Sequence, residues 1–360
     1  MSIKDIAGNE NAKQVMLSII NSNKIGAAYI FVGEENVGKN FAALQFSKAL
    51  NCLEPQNNGD CCDKCENCKT IDKVIGQLDE FSMQKNAHPD ILYINTDKAK
   101  FSIDLVREGL KAVNSLKVIY LKKKIVIIQD AERMTKEASN SILKELEEPN
   151  PEVVIILICN NPEAMLPTIL SRCYTISIKR VSNSMIKEKL KILKPYWDEK
   201  MINEAVIYSE GKIGLAVNYE KIRENSAEVV EIFKILSLKE DNVDAIFKKI
   251  EELDTKFKKE REKEEKKKIA GSARNFLIEM LKILAYIYKD LLISIIGRSD
   301  NFEKKYLISV EKLKNKYEPE KLINIINLIK QAQIDLELNA NVNLLLNSLF
   351  FNIRKVGVDK

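Results

Sequence analysis

A segment near the N-terminus carries residue types that could bind phosphate. Gly33, Gly38 and Lys39 are the first, sixth and seventh residues of the segment from 33 to 40, which follows a β-branched run and precedes a helical pattern. Glycines at this spacing let backbone N–H groups surround phosphate oxygens at a helix N-terminus, and the lysine adds a positive charge. The segment is therefore predicted to form a P-loop.

The last residue of this segment departs from the P-loop pattern. Asn40 stands where a serine or threonine hydroxyl would bind Mg²⁺, and Glu34 and Glu35 add negative charge beside any phosphate. Mg²⁺ is therefore not expected here, and the sequence leaves ATP binding open. The alternative is a glycine-rich turn between a strand and a helix that holds no nucleotide.

A second departure lies at the end of a later strand pattern. Active P-loop ATPases of this layout carry an aspartate and then a glutamate there, which bind Mg²⁺ and activate water. This chain has Gln129 followed by Asp130, so the metal carboxylate is missing and the base would be a shorter aspartate. We expect that the chain alone does not hydrolyse ATP.

Five of the seven cysteines fall between positions 52 and 68. Four of them have the spacing C-x9-C-x2-C-x2-C, which suits one tetrahedral Zn²⁺: Cys52, Cys62, Cys65 and Cys68. Four thiolates would complete the zinc shell and leave no position for a catalytic water, which indicates a structural zinc. Cys61 could ligate in place of Cys62 but would break the two-residue steps, and thiols without metal are the other alternative.

The composition is that of a chain that can bury large cores but is not strongly basic. Its 360 residues are 45% hydrophobic, and 57 basic against 52 acidic residues give a net charge of +5. The length favours two or three domains, and the modest charge makes any DNA contact local or shared with partners. Because there is no signal-peptide pattern and no apolar run of about 20 residues, a cytoplasmic protein is expected.

Short apolar runs alternate with helical patterns up to about residue 178. The runs that read as strands are Tyr29–Val32, Ile91–Ile94, Ile125–Ile128, Val153–Ile158 and Tyr174–Ile178. Continuous apolar runs indicate strands covered on both faces, as in a parallel sheet. Residues 1–178 are thus predicted to form an α/β doubly wound domain with a five-stranded parallel sheet and a cysteine module at about 52–68.

Beyond residue 179 the strand patterns nearly vanish and amphipathic helical patterns take over. We predict a small helical domain over residues 179–222 and an all-helical domain over residues 223–360. The segment Lys256–Lys268 is nearly all lysine and glutamate, with opposite charges often three or four residues apart. That pattern favours a solvated helix over a DNA-binding patch.

Three segments carry motifs in a specific order. Residues 6–9 read Ile-Ala-Gly-Asn, residues 138–149 read Ala-Ser-Asn-Ser-Ile-Leu-Lys-Glu-Leu-Glu-Glu-Pro, and residues 166–173 read Leu-Pro-Thr-Ile-Leu-Ser-Arg-Cys. Together with the cysteine loop after the P-loop helix, this order resembles the clamp-loader branch of the AAA+ ATPases over almost the whole chain. The resemblance implies an AAA+ P-loop domain, a small helical lid and a C-terminal helical collar.

The resemblance also implies roles for individual residues. Arg172 occupies the position of the family's serine-arginine-cysteine arginine, which reaches into the ATP site of the neighbouring subunit and neutralises charge on the γ-phosphate. The alternative is that Arg172 only pairs with a nearby carboxylate. Asn160 or Asn161 would be the polar sensor on the preceding strand.

The departures favour a family member that does not hydrolyse ATP itself. In hydrolysing members a lid arginine touches the nucleotide, and Gly214 stands in its place here. The resemblance then implies a scaffold subunit that works with gamma/tau-type and delta-type subunits to load the sliding clamp onto primer-template DNA. The alternatives are an active gamma/tau-like ATPase and a zinc-dependent nucleic-acid-binding module.

Overall fold

The fold was obtained as a computed structural model. The structure describes residues 1–22, 25–77, 89–95, 106, 118–238, 243–267, 272–297, 313, 316–338 and 340–358. The chain forms two compact units, Met1–Tyr219 and Glu220–Lys360. Within the described residues, no helix combines the length and the apolar character needed to cross a membrane.

The first unit is built on a parallel sheet, with five strands among its described residues. The strands are β1 (Ala28–Val32), β2 (Ile91–Ile94), β3 (Lys124–Ile128), β4 (Val153–Cys159) and β5 (Tyr174–Ser177). Their spatial order is β2-β3-β4-β1-β5, and each neighbouring pair is parallel. The predicted five-stranded parallel α/β sheet is confirmed, with strand ends displaced by a single residue.

The apolar runs form this sheet because both of its faces are covered. Every residue of β3 and of β4 is buried, as expected for interior strands of a parallel sheet. In β1, Tyr29 and Phe31 join one apolar cluster, whereas Ala28 and Ile30 join another on the opposite face. The carboxyl ends of these strands therefore meet at one edge, where ligand sites of α/β folds usually lie.

Helices of the first unit cover the sheet and begin at recognisable caps. They are α1 (Glu10–Asn21), α2 (Lys39–Asn51), α3 (Glu66–Gln77), α4 (Lys136–Glu147) and α5 (Pro167–Leu170). The Thr135 hydroxyl accepts the N–H of Ala138 at the start of α4, and Pro167 occupies the first turn of α5. The N-terminal residues of α4 and α5 are thus fixed by a cap and by a proline.

A separate apolar cluster forms beyond the sheet, within the first unit. It joins three helices around the buried Trp197: α6 (Asn183–Leu193), α7 (Glu199–Ser209) and α8 (Ile213–Val217). Ser182 and Asp198 cap α6 and α7 through their side-chain oxygens. The helical character of this region agrees with its sequence pattern, while a domain boundary at 179–222 stays a prediction.

The second unit is helical in all of its described elements. Its helices are α9 (Tyr219–Leu238), α10 (Val243–Lys267), α11 (Ser272–Ile295), α12 (Pro319–Glu337) and α13 (Val342–Val358). They share one apolar core that includes Phe233, Tyr288 and Leu346. The lysine- and glutamate-rich segment is the second half of α10, and Lys268 lies outside the described residues.

Candidate nucleotide and metal sites

The predicted P-loop connects β1 to α2 at the carboxyl edge of the sheet. Gly38 precedes α2 in the left-handed region, with φ of 100°, which glycine adopts readily. A Cβ atom on Gly33 would collide with the carbonyl oxygen of Ile178, so a larger residue would separate the loop from the end of β5. The two glycines therefore have steric reasons to be where they are, whether or not a phosphate binds.

The ammonium group of Lys39 is held by protein acceptors. Its Nζ donates to the Glu34 carbonyl at 2.6 Å and to Asn160 Oδ1 at 2.8 Å, and only 5% of the residue is exposed. Burial lowers the pKa of Lys39, while the charges of Asp130 and Glu132 oppose that shift. A nucleotide would have to compete with these acceptors for the lysine.

Side chains at the ends of β3 and β4 form a hydrogen-bonded network. Asn160 Nδ2 donates to Asp130 Oδ1 and to Glu132 Oε1, each at 2.9 Å, and the Asn160 backbone N–H donates to Glu132 Oε1 at 3.0 Å. Asp130 Oδ1 also accepts from Gln129 Nε2 at 2.9 Å. Most polar groups around Lys39 thus find partners within the protein, whereas Glu132 Oε2 is buried without a hydrogen-bond partner.

The remaining predicted nucleotide residues lie outside this network. Asn40 is exposed on the first turn of α2. Asn161 caps the short 3-10 helix Pro162–Ala164 by accepting the N–H of Glu163, so Asn160 is the asparagine that faces Lys39. Since Gln129 and Asn40 stand where Mg²⁺ prefers a carboxylate and a hydroxyl, the side chains do not fit the usual magnesium site.

The loop glutamate Glu34 binds two basic side chains from beyond β5. Its carboxylate accepts from Arg180 Nε at 2.8 Å and Arg180 Nη2 at 2.6 Å, and Lys212 Nζ lies 3.3 Å from Glu34 Oε2. The hydrogen bond from Arg180, assisted by Lys212, lowers the pKa of Glu34 to about 2. These contacts tie the P-loop to the helical cluster around Trp197.

A backbone contact brings the same two regions together. The N–H of Gly214, in α8, donates to the carbonyl of Asn36 at 2.8 Å. A Cβ atom on Gly214 would lie 2.8 Å from that carbonyl oxygen, and one on Gly38 would lie 3.3 Å from Ile213 Cγ2. Gly214 therefore permits α8 to approach the loop too closely for a side chain to fit between them.

Arg172 lies away from this loop, directly after α5. Its Nη2 is 2.8 Å from Glu147 Oε1, and its Nη1 donates to the Thr168 carbonyl at 3.0 Å. The side chain is 36% exposed, so its guanidinium stands at the surface. The ion pair considered in the sequence analysis is thus present, in a position that also leaves the guanidinium accessible.

Four cysteine thiols converge after α2. The Sγ atoms of Cys52, Cys62, Cys65 and Cys68 all lie within 4.8 Å of one another. The separations Cys52–Cys65 and Cys62–Cys68 are 4.0 Å, close to the S···S distance of about 3.8 Å expected around tetrahedral zinc. The arrangement can hold one metal ion and is compatible with a structural Zn²⁺.

Backbone groups support the sulfurs of this cluster. The N–H of Cys62 donates to Cys52 Sγ at 3.2 Å, and the N–H of Cys65 donates to Cys62 Sγ at 3.2 Å. Burial raises the pKa of Cys65, but backbone N–H donors and neighbouring thiols outweigh it and lower that pKa to about 6. Burial raises the pKa of Cys52 and of Cys68, so within this cluster the lowered pKa belongs to Cys65.

Cys61 is adjacent to the cluster but points elsewhere. Its Sγ lies 3.5 Å from Asp63 Oδ1, and it is not among the four converging thiols. Lys48, which is fully buried, reaches the same place and lies 2.6 Å from Asp63 and 2.5 Å from Asp72. The geometry therefore groups Cys62, and not Cys61, with the other three cysteines.

The five-stranded parallel sheet and the glycine loop between β1 and α2 define a class of protein, an α/β domain of the P-loop type. A family profile described as "DNA polymerase III, delta subunit" matches residues 8–182. The chain is 27% identical over 353 residues to DNA polymerase III subunit delta' of Bacillus subtilis, covering 96% of this chain and 97% of that protein. Along nearly its whole length the chain is similar to the delta' subunit of DNA polymerase III, a similarity that the family profile supports over residues 8–182.

Similarity to other members is more partial. The chain is 30% identical over 207 residues to DNA polymerase III subunit gamma/tau of Mycoplasma genitalium, covering 58% of this chain but 32% of that protein. A solved gamma-subunit-related protein of Thermotoga maritima aligns over 97% of this chain and 99% of that chain, at 19% identity and a TM-score of 0.49. The family assignment rests on the sequence relatives.

Sequence reasoning missed two parts of the candidate nucleotide site. It considered Glu34 only as a repulsive charge, because nothing local indicates that Arg180 and Lys212 fold back onto the loop. It also overlooked Glu132, which returns to Asn160 because Asp130 turns the chain in the left-handed region with φ of 48°. An aspartate at the end of a strand, where such a turn is tolerated, was the available signal.

Proposed function

We propose that this chain is a non-hydrolysing subunit of a replicative clamp loader that supplies Arg172 to the ATP site of a neighbouring subunit. Its partners would be gamma/tau-type and delta-type subunits, with the sliding clamp and primer-template DNA engaged through the complex. The carrying observation is that Lys39 and Glu34 of the chain's own P-loop are engaged by protein groups, while Arg172 stands exposed on another loop.

Several contacts support the absence of hydrolysis. Lys39 is engaged by Glu34 and Asn160, and Glu34 binds Arg180 and Lys212, so the groups expected to meet phosphate already have partners. Gln129 and Asn40 offer amide oxygens where Mg²⁺ prefers a carboxylate and a hydroxyl. Catalysis by the isolated chain would need the loop, the metal and the base together, and only the loop glycines and Lys39 keep the usual form.

The accessible guanidinium supports a role in trans. An arginine that neutralises charge on a transferred phosphoryl group must reach outward from its own subunit, and Arg172 is 36% exposed. Its backbone is fixed, because its N–H donates to the Ile169 carbonyl at 3.0 Å in the turn after α5. An exposed side chain on a fixed turn suits contact with a partner.

The experiment compares ATPase rates of the isolated chain and of a loader reconstituted from this chain with its gamma/tau-type and delta-type partners, clamp and primed DNA. We expect background turnover by the isolated chain. In the loader, Arg172→Ala should lower kcat by about a thousandfold at the site it serves. Robust turnover by the isolated chain would support the active-ATPase alternative, and unchanged turnover in the Arg172→Ala loader would refute the trans role.

A matched control separates this effect from loss of surface charge. Lys187 is an exposed cation of the same unit that pairs with Glu199 at 3.0 Å. Lys187→Ala should leave loader turnover unchanged, because it removes one positive charge from α6 and not from the segment that carries Arg172. Equal losses in both variants would indicate a general electrostatic effect.

We further propose that the four-cysteine cluster holds a structural Zn²⁺. Cys52, Cys62, Cys65 and Cys68 would supply all four ligands, so zinc would have no open position for water or substrate. The ion would order the loop between α2 and α3 and contribute to folding rather than to chemistry.

A further inference from the structure

The surface arginine Arg172 is held from two sides. The Glu147 carboxylate, at the last residue of α4, lies 2.8 Å from Nη2, and the Thr168 carbonyl, in α5, accepts from Nη1 at 3.0 Å. The two acceptors come from different helices. The contacts therefore fix both the direction and the rotation of the guanidinium plane.

This pair is a poor candidate for a stabilising device. Glu147 is 52% exposed and Arg172 is 36% exposed, and ion pairs between such side chains contribute about 0–1 kcal/mol to folding. The Thr168 carbonyl would be satisfied by water if Arg172 were absent, since the contact lies at the surface. These two contacts therefore affect the orientation of the Arg172 guanidinium more than the stability of the fold.

A long exposed side chain loses rotamer freedom when it meets a phosphate, and that loss is reduced if the side chain is already oriented. A guanidinium carries five N–H donors in a rigid fork. Contacts at Nη1 and Nη2 leave the fork with further donors for an anion, so Glu147 can orient Arg172 without consuming it.

We infer that Glu147 is a positioning residue that holds Arg172 in the orientation it needs to meet the nucleotide of a neighbouring subunit. This inference rests on the proposed function of Arg172. Glu147 does not touch the reacting phosphate; it acts only through Arg172. Its loss should lower the rate of the chemical step and leave nucleotide binding by the neighbouring subunit unchanged, because that subunit binds ATP with its own P-loop.

The test uses the reconstituted loader with clamp and primed DNA, and separates kcat from KM for ATP. Glu147→Ala should lower kcat by about tenfold, as expected for a misplaced catalytic group, with KM unchanged. Glu147→Gln keeps an oxygen that can accept from Nη2 and should restore kcat to within about twofold of the unaltered loader. Glu148→Ala removes the adjacent exposed carboxylate and should have no effect.

The outcomes distinguish the two proposals. If Arg172→Ala impairs the loader but Glu147→Ala matches Glu148→Ala, the positioning role is refuted and the trans role stands. If Arg172→Ala is itself without effect, both are refuted. A rise in kcat for Glu147→Ala would show that Glu147 restrains Arg172, and it would also overturn the inference. Equal melting temperatures of all variants would exclude misfolding as the cause of any change in kcat.

Discussion

The backbone N–H of Gly214 donates a hydrogen bond of 2.8 Å to the carbonyl of Asn36, and this contact joins α8 to the P-loop. By the family resemblance, hydrolysing subunits carry a nucleotide-binding arginine at this position. Here a side chain would collide with the loop, because a Cβ atom on Gly214 would stand 2.8 Å from the Asn36 carbonyl oxygen. The close approach of α8 to the loop therefore leaves no room for a side chain at position 214.

Gly214→Ala should destabilise the helical cluster around Trp197 by about 1–3 kcal/mol, the usual cost of overpacking. An ordinary glycine-to-alanine change within a helix would instead stabilise by up to about 1 kcal/mol. Trp197 is the only tryptophan and lies in this cluster, so urea unfolding followed by its fluorescence reports the effect directly.

A decrease in the free energy of unfolding is the result expected for any side chain at position 214. Gly214→Arg should be at least as destabilising as Gly214→Ala, and should not create ATPase activity in the isolated chain. Stability equal to or above that of the unaltered chain would mean that α8 can move away from Asn36 at little cost.

Glu34→Gln should weaken the attachment of the P-loop to Arg180 and Lys212. The pKa of Glu34 is lowered to about 2 in the folded chain from 4.5, so its stabilising effect is present above pH 4.5 and is lost as pH falls through about 2. Because Glu34 is 52% exposed, we expect less than about 1 kcal/mol at neutral pH. Urea unfolding of both chains, monitored through Trp197, should show the difference shrink between about pH 5 and pH 3.

The control for this prediction is Glu163→Gln, which neutralises an exposed carboxylate elsewhere in the same unit. Its effect should not change over that pH range in the same way. Raising the ionic strength should reduce the Glu34→Gln difference, since exposed charges are screened. A difference that stays constant down to about pH 3 would exclude the ion pair as its source.

The sheet could be predicted from the sequence because its determinants are local. Runs such as Val153–Ile158 are apolar on both faces, so they belong inside a parallel sheet whatever they pair with. The cysteine cluster was equally accessible, because ligands two residues apart are brought together by a single turn.

The contacts of Glu34 with Arg180 and Lys212 could not be predicted from the sequence in this way. Arg180 is 146 residues from Glu34 along the chain, and Lys212 is farther still, so their contact depends on how the helical cluster meets the sheet. Sequence patterns fix which face of a helix is apolar but not which distant loop a basic side chain will reach. For the same reason, the sequence pattern does not indicate that Glu147 is the carboxylate that pairs with Arg172.

Zinc content should distinguish Cys62 from Cys61. Elemental analysis of the purified chain should give about one zinc per molecule, as expected for a four-cysteine structural site. Cys62→Ser removes one of the four converging thiols and should lower that content well below one. Cys61→Ser should retain the metal, because the Cys61 thiol faces Asp63 instead.

A second control is Cys173→Ser, which alters a thiol beside Arg172 and outside the cluster. It should keep the metal content of the unaltered chain. Loss of zinc from Cys61→Ser with retention in Cys62→Ser would reverse the assignment of ligands, and absence of zinc from the unaltered chain would refute the metal site itself.

Lys48→Met should destabilise the region between α2 and the cysteine cluster. The Lys48 ammonium is fully buried and lies 2.6 Å from Asp63 and 2.5 Å from Asp72, which are partly exposed at 32% and 42%. Burial lowers the pKa of Lys48, but hydrogen bonds to the two carboxylates outweigh it and raise the pKa above its usual 10.5. Methionine keeps the volume but removes the lysine cation from both carboxylates and leaves Asp63 only the N-terminal ammonium at 3.3 Å, at a cost of about 1–3 kcal/mol.

The pH dependence of this cost differs in sign from that of Glu34. A raised pKa means that the stabilising effect of Lys48 is complete below about pH 10.5 and is lost only as pH rises through the folded-state value. Thermal melts at about pH 6 and pH 9 should therefore show the same difference between Lys48→Met and the unaltered chain.

Lys191→Met, which removes a half-exposed lysine paired with Glu199 at 2.7 Å, should change stability by no more than about 0.5 kcal/mol. If Lys48→Met and Lys191→Met lowered stability equally, the buried contacts of Lys48 would stabilise the fold no more than an exposed ion pair does.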